Sequence, residues 1–180
     1  MEIVLEGPDR LADYESVPCA FTVAARLDLD ELKAGNLVAE ATTAYRKDYD
    51  AEASERPTQV ALRSDPNTWS ILVAYDGALR AGGAIVAPAS DYPISGSRLG
   101  DRVLVDLRVA PNARRRGVGK LLLEAALAQD RSPLLVETQD TNVAACRLYW
   151  SMGAVPLVVE PDGYPGFSDE AKIVWRFAPA

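Results

Sequence analysis

The sequence predicts an α/β (α+β) protein built on a mixed sheet, and three stretches carry the prediction. Arg102 to Val109 is an alternating apolar run, Gly117 to Ala128 has helical spacing, and Pro133 to Thr138 is again strand-like. Strand, helix and strand in that order imply parallel neighbours joined by a right-handed crossover. Trp69 to Tyr75 and Ala78 to Ala87 flank Asp76-Gly77, which supplies the positive φ angles of a tight turn between twisted strands, so an antiparallel hairpin is expected. Ala154 to Val159 and Ala171 to Phe177 add two further strands near the C-terminal end.

The earlier elements are less sharply marked. Glu2 to Leu5 suits a short strand, followed by a loop with Pro8 and Pro18. Phe21 to Leu29 and Leu37 to Thr43 alternate well enough for two strands, although their alanines would also suit helix over so short a span. Tyr45 to Pro57 contains Asp48, Asp50, Glu52 and Glu55 and is expected to be an exposed acidic loop, with a lid over an amine site as its functional alternative. Gly82 and Gly83 indicate a bulge or a close backbone approach in the second hairpin strand. Residues 88 to 101, rich in Pro, Ser, Gly and Asp, form the next loop. Asp140 or Thr141 can cap a helix beginning near Asn142, and Gly153 can end it.

Composition removes whole classes of function. The 180 residues are 48% apolar and 25% charged, the balance of one globular domain spanning 1–180. There is no histidine, which excludes Ser-His and Cys-His nucleophilic pairs and removes the usual base near neutral pH. Acid–base work therefore falls to carboxylates, tyrosine or water. The net charge of −7 argues against a nucleic-acid surface and suits a cationic second substrate such as an amine. Cys19 and Cys146 are too few for a disulfide framework or a zinc site, so no metal is expected and both are read as free thiols. No basic leader and no long apolar run is present, so a cytoplasmic protein without membrane contact is the expectation.

The chemistry concentrates between the 102–109 strand and the following helix. A glycine-containing loop running into a helix leaves backbone N–H groups unpaired where the macrodipole favours an anion. Here Arg114, Arg115, Arg116 and Lys120 add positive charge around Gly117, Val118 and Gly119. A phosphate site is expected. The P-loop pattern fails, since Arg114 stands where glycine is needed and Leu121 where Ser or Thr is needed; the dinucleotide fingerprint fails at Leu122.

What remains, Arg114-x-x-Gly117-x-Gly119 after Val109-Ala-Pro111, resembles the acetyl-CoA pyrophosphate loop of the GNAT family of N-acetyltransferases. A second motif follows at Glu137-Thr-Gln-Asp-Thr-Asn142 and Ala145-Cys-Arg-Leu-Tyr149. Asn142 and Tyr149 are seven residues apart, so they lie on nearly one helical face and can address one ligand. From Leu135 onward the chain is similar to streptothricin acetyltransferases, which share this run and a closing Trp-x-Phe, here Trp175 to Phe177. The family resemblance covers Trp69 to Phe177; the first 60 or so residues carry no matching motif.

The resemblance implies a central twisted sheet of about six to seven strands flanked by helices, with a cofactor core near 69–177. It implies acetyl-CoA as cofactor, held by the 114–120 loop, by Asn142 near the pantetheine, and by backbone N–H groups of Leu107 or Val109 that polarise the acetyl carbonyl. Tyr149 would act as general acid. Glu137 is the first choice of base and Asp106 the second, because these carboxylates lie on the strands flanking the cofactor; Val105 stands where many relatives carry Glu. The loop holding Gly163, Tyr164, Pro165, Phe167, Asp169 and Glu170 would return toward the active side. The expected reaction is acetyl transfer to a primary amine of a small cationic molecule, a streptothricin-like antibiotic among them. An acetyl-CoA sensor without chemistry and a protein or peptide N-acetyltransferase are the alternatives. Lys172 to Phe177 offers an edge through which a homodimer could pair.

Overall fold

The computed structural model describes residues 1–164 and 169–179. The chain opens with β1 (Glu2–Glu6), after which a 3₁₀ turn at Pro8–Arg10 leads into α1 (Leu11–Glu15). This short helix replaces the expected loop, because Leu11 and Tyr14, three apart, bury one face against the sheet. β2 (Phe21–Leu27) stops where Asp28 accepts from the N–H groups of Asp30 and Glu31 and caps α2 (Leu29–Lys33). β3 (Ala39–Lys47) pairs antiparallel with β2 as a separate two-stranded sheet. The alanine-rich runs are thus strands, and Tyr45 to Lys47, expected in a loop, belong to β3. Residues 48–56 then run through two 3₁₀ turns to α3 (Pro57–Val60).

β4 (Ser70–Asp76) and β5 (Leu79–Pro88) form the expected hairpin, with Gly77 at φ 62°. The β4–β5 register slips by one residue at Ala81. Beside it, a Cβ on Gly82 would lie 2.6 Å from the Arg108 carbonyl oxygen, and one on Gly83 would lie 2.3 Å from the Tyr14 ring. Close approach explains both glycines. β6 (Arg102–Val109), α4 (Val118–Ala128) and β7 (Leu134–Gln139) make the predicted parallel unit, followed by α5 (Val143–Ser151), β8 (Val155–Glu160) and β9 (Lys172–Phe177).

The main sheet has seven strands in the order β1-β4-β5-β6-β7-β9-β8. β9 is therefore interior and β8 is the edge, which corrects the expectation that Lys172–Phe177 offers a free flank. Burial gives the reason: Ile173, Val174 and Trp175 are covered on both sheet faces, whereas Val155 and Leu157 of β8 are exposed. α4 and α5 pack on one face through Leu122, Leu123 and Cys146, and α1 and α3 cover part of the other through Leu11, Tyr14 and Val60. Among the described residues, no helix is long and apolar enough to cross a membrane.

Candidate active site

The site begins where the sheet opens. β6 and β7 pair only from Arg102–Leu104 to Leu134–Val136, although β6 continues to Val109 and β7 to Gln139. On its other side β6 stays paired with β5, but the register slips at Val105, between Leu104 and Asp106. A bulge sharpens the local twist and turns the strand away from its neighbour. Ala110 donates to the Ala81 carbonyl at 2.9 Å, so by strand alternation Leu107 and Val109 turn their peptide groups toward the opening. The Val109 carbonyl accepts from Arg114 Nε at 3.0 Å. Among the described residues, no strand pairs with the rest of that edge of β6.

At the end of β6 the chain makes a 3₁₀ turn at Pro111–Ala113, then takes positive φ at Arg115 (62°) and Gly117 (84°) before α4. Leu121 is the first residue to donate back into the helix, to the Gly117 carbonyl at 3.0 Å. The N–H groups of Val118, Gly119 and Lys120 precede it and receive no side-chain cap. Gly119 packs closely: a Cβ there would lie 3.3 Å from Leu148 of α5 and 3.7 Å from Val109. The backbone donors thus fit a pyrophosphate, while Gly117 supplies the positive φ and Gly119 lets α4 approach α5 closely.

The cations around this loop divide. Arg114 is tied to the Val109 and Pro18 carbonyls at 3.0 and 3.5 Å, so it braces the loop. Arg116 pairs with Asp76 at 2.8 Å and Lys120 with Glu124 at 3.7 Å. Arg115 is exposed and has no partner among the described residues.

Asn142 itself caps α5, accepting from Ala145 N–H at 3.2 Å, so the cap is neither Asp140 nor Thr141. Those two residues serve elsewhere, Asp140 binding Arg26 and the Ala171 N–H, Thr141 donating to Glu170. Asn142 Nδ2 donates to the Tyr49 hydroxyl at 3.4 Å, and Tyr49 donates to Gln139 Oε1. Tyr149 is only 4% exposed and packs edge-on to Phe177 and tilted against Trp175, with ring centroids 6.3 and 6.5 Å away. Burial pushes its phenol well above the ordinary tyrosine value.

The two carboxylates expected to act as base sit in different surroundings. Asp106 accepts from Tyr14 at 2.6 Å and from Arg108 at 2.9 and 2.8 Å, so both its oxygens are engaged. Glu137 accepts from Tyr164 at 2.9 Å, and no cation lies within ion-pair distance among the described residues. Burial, with the Glu137 charge beside it, pushes the Tyr164 phenol up, so it stays a donor. Other acids nearby are matched: Asp50 by Arg108 at 3.3 Å and Glu170 by Lys47. Cys19, Asp48 and Asp50 bring ligand atoms within 4.8 Å of one another. There Asp50 already has its guanidinium, and burial pushes the Cys19 thiol up to about 12, so the group is a poor metal site. Pro165 and Phe167 lie outside the described residues.

Tyr14 and Arg108, which bind Asp106, and Tyr49, which binds Asn142, are the contacts of the candidate residues that sequence reasoning missed. Arg108 had one signal, a guanidinium near the end of an apolar strand, which must find partners if buried. Tyr49 and Tyr14 had none.

A parallel unit opened by a bulge, with uncapped backbone N–H groups at the helix start beside its mouth, is an arrangement that fits a phosphorylated cofactor arm. The chain belongs to the acetyltransferase (GNAT) family, whose family model matches residues 35–154. Acetyl-CoA is the donor this family uses. No curated protein matches the sequence. Among solved structures, a protein from Bacillus anthracis str. Ames assigned as a streptothricin acetyltransferase, in complex with acetyl coenzyme A, is 22% identical. The alignment covers 98% of each chain with a TM-score of 0.73. Nourseothricin acetyltransferase is 20% identical over 99% of this chain and 97% of its own, with a TM-score of 0.69. The ribosomal-protein-S18-alanine N-acetyltransferase of Escherichia coli is 18% identical over 99% and 92%, with a TM-score of 0.59. At these identities the likeness is one of fold, and it spans both small-molecule and protein acceptors.

Proposed function

We propose that residues 1–180 act as one domain that moves an acetyl group from acetyl-CoA to a primary amine of a small cationic molecule, of which a streptothricin-like antibiotic is an example. The observation that carries this is Glu137, a carboxylate on the splayed end of β7 that no cation balances among the described residues. An ammonium arriving there would supply the missing charge. Acetyl-CoA brings an activated thioester when bound. The N–H groups of Val118, Gly119 and Lys120, with Arg115, hold its phosphates, while Arg114 keeps the loop in shape. Leu107 and Val109 offer peptide groups to the pantetheine arm and an N–H to the acetyl carbonyl. Asn142 lines the same face.

Glu137 takes the proton from the ammonium, and the Tyr164 hydroxyl keeps the carboxylate oriented. Asp106, engaged on both oxygens, serves better as the counter-charge of Arg108 than as the second base. The neutral amine would attack the acetyl carbon as the C–S bond breaks, and the departing sulfur would take the proton that the new amide nitrogen sheds. Tyr149, a phenol reluctant to ionise, stays protonated at neutral pH and would steady that sulfur with a hydrogen bond. The test is thiol release from acetyl-CoA against streptothricin, aminoglycosides, polyamines and short peptides, with thermal stabilisation by acetyl-CoA in parallel. Release with a small cationic amine supports the proposal. Release with peptides alone moves the acceptor to proteins, and stabilisation with no release makes the chain a sensor.

A further inference from the structure

We infer that Tyr49 and Asp50 form a brace across the opening between β6 and β7, and that this brace positions the acceptor-side wall of the cleft and so sets the affinity for the amine. The inference rests on the acetyltransferase function proposed above. Beyond Leu104 and Val136 the two strands no longer pair. Two consecutive residues meet both sides of the gap. Asp50 reaches Arg108 Nη2 on β6 at 3.3 Å. Its neighbour Tyr49 donates to Gln139 on β7 and accepts from Asn142 at the start of α5 at 3.4 Å.

The anchor on β6 is rigid. Arg108 is 2% exposed, and its guanidinium also binds Asp106, the Val17 carbonyl at 3.0 Å and the Glu15 carbonyl at 3.2 Å. The anchor on β7 is rigid for another reason, since β9 pairs with Glu137 and Gln139 from the far side. The braced segment, by contrast, has only 3₁₀ turns between β3 and α3 and no strand ladder of its own. Further along, Arg63 holds the Ser54 carbonyl at 2.6 Å and Arg56 lies 3.6 Å from Glu15, but Tyr49 and Asp50 are its contacts with the two strands of the opening. Tyr49 is seated further by the Phe21 ring, 5.6 Å away between centroids, and by the Lys47 ammonium over its face at 5.3 Å. Gln139 lies two residues beyond Glu137 on the same sheet face, so the segment is tied next to the carboxylate assigned to the amine. A wall held this way is a positioning element: its residues need not touch the reacting atoms.

Two variants leave the buried guanidinium in place. Asp50→Asn keeps the side-chain size and removes the charge; Tyr49→Phe keeps the ring and removes both hydrogen bonds. In thiol-release assays each is expected to raise KM for the amine about tenfold, with KM for acetyl-CoA and kcat changed less than about twofold. Because both loosen one segment, the double variant should be no worse than about the sum of their effects on a logarithmic scale, and less than that if the brace acts as a unit. Hydrogen exchange, read without any substrate, should quicken at residues 49–56 in each variant while β4 and β5 remain protected. Unchanged exchange together with an unchanged amine KM overturns the brace, as does a parallel loss of acetyl-CoA affinity, which would mark general damage. If the wild-type chain releases thiol with none of the amines or peptides, the proposed function fails, while the exchange measurement still decides the brace.

Discussion

Tyr164 donates a hydrogen bond to Glu137 at 2.9 Å, joining the segment that follows β8 to the splayed end of β7. A carboxylate with a donor on one oxygen, and no cation beside it among the described residues, is held in one orientation toward the opening. Glu137→Gln should therefore lower kcat/KM for the amine by roughly 10²-fold or more, with acetyl-CoA affinity retained. Full activity with an unchanged pH–rate profile would remove Glu137 as the base.

Tyr149 is held among Phe177 and Trp175 with its phenol kept neutral. Tyr149→Phe preserves that packing and should lower kcat by about ten- to a hundredfold, the worth of a hydrogen bond to a charged group. The effect should be constant from pH 6 to pH 9, because the phenol does not titrate there. Turnover equal to wild type would show that the sulfur leaves without its help.

The three arginines of the loop should separate cleanly. Arg115→Ala should raise KM for acetyl-CoA, most strongly at low salt, because Arg115 is the one left unpaired among the described residues. Arg114→Ala should instead destabilise the fold by about 1–2 kcal/mol through loss of its bond to the Val109 carbonyl. Arg116 pairs with Asp76 at 54% and 46% exposure, so Arg116→Ala should change stability by less than about 1 kcal/mol. Equal effects of all three on acetyl-CoA affinity would contradict this division.

Gly83→Ala places a methyl 2.3 Å from the Tyr14 ring and must push that ring off Asp106. A destabilisation of about 3 kcal/mol is expected from overpacking and the lost hydrogen bond. Chemical denaturation would measure it, and a variant as stable as wild type would mean that Tyr14 can move freely.

Burial pushes the thiols of Cys19, to about 12, and of Cys146 upward, and pushes up the phenols of Tyr14, Tyr49 and Tyr149. Folding thus favours the protonated forms. Their contribution is full below the unfolded values, about 8.5 for thiols and about 10 for phenols, and is lost as pH rises through the folded ones. The melting temperature should fall from about pH 8.5 and more steeply above about pH 10. Cys146→Ala should flatten the first part of that decline; an identical slope would show that its thiol ionises equally in both states.

The parts of the fold legible in the sequence were those with local signals. Asp76-Gly77 turns because glycine accepts positive φ, and the loop into α4 announces itself through Gly117 and Gly119. The splay was legible only through family resemblance, since Val105 continues an alternating run and looks like any strand residue although the register slips there. Partner choice was hidden as well. Asp106 looks free in sequence, and only the fold brings Tyr14, 92 residues away, onto it. The order of β8 and β9 was misjudged for the same reason, because hairpin partners read alike until a third strand chooses one of them.

That choice bears on how the protein is made. Among the described strands β9 emerges last from the ribosome, yet its place is between β7 and β8. Strands β1, β4, β5 and β6 can assemble while the remainder is still being translated, but β7 lacks one flank until residue 177 is free. During that interval the nascent chain carries a bare apolar strand, the condition under which chaperone binding or misassembly is favoured.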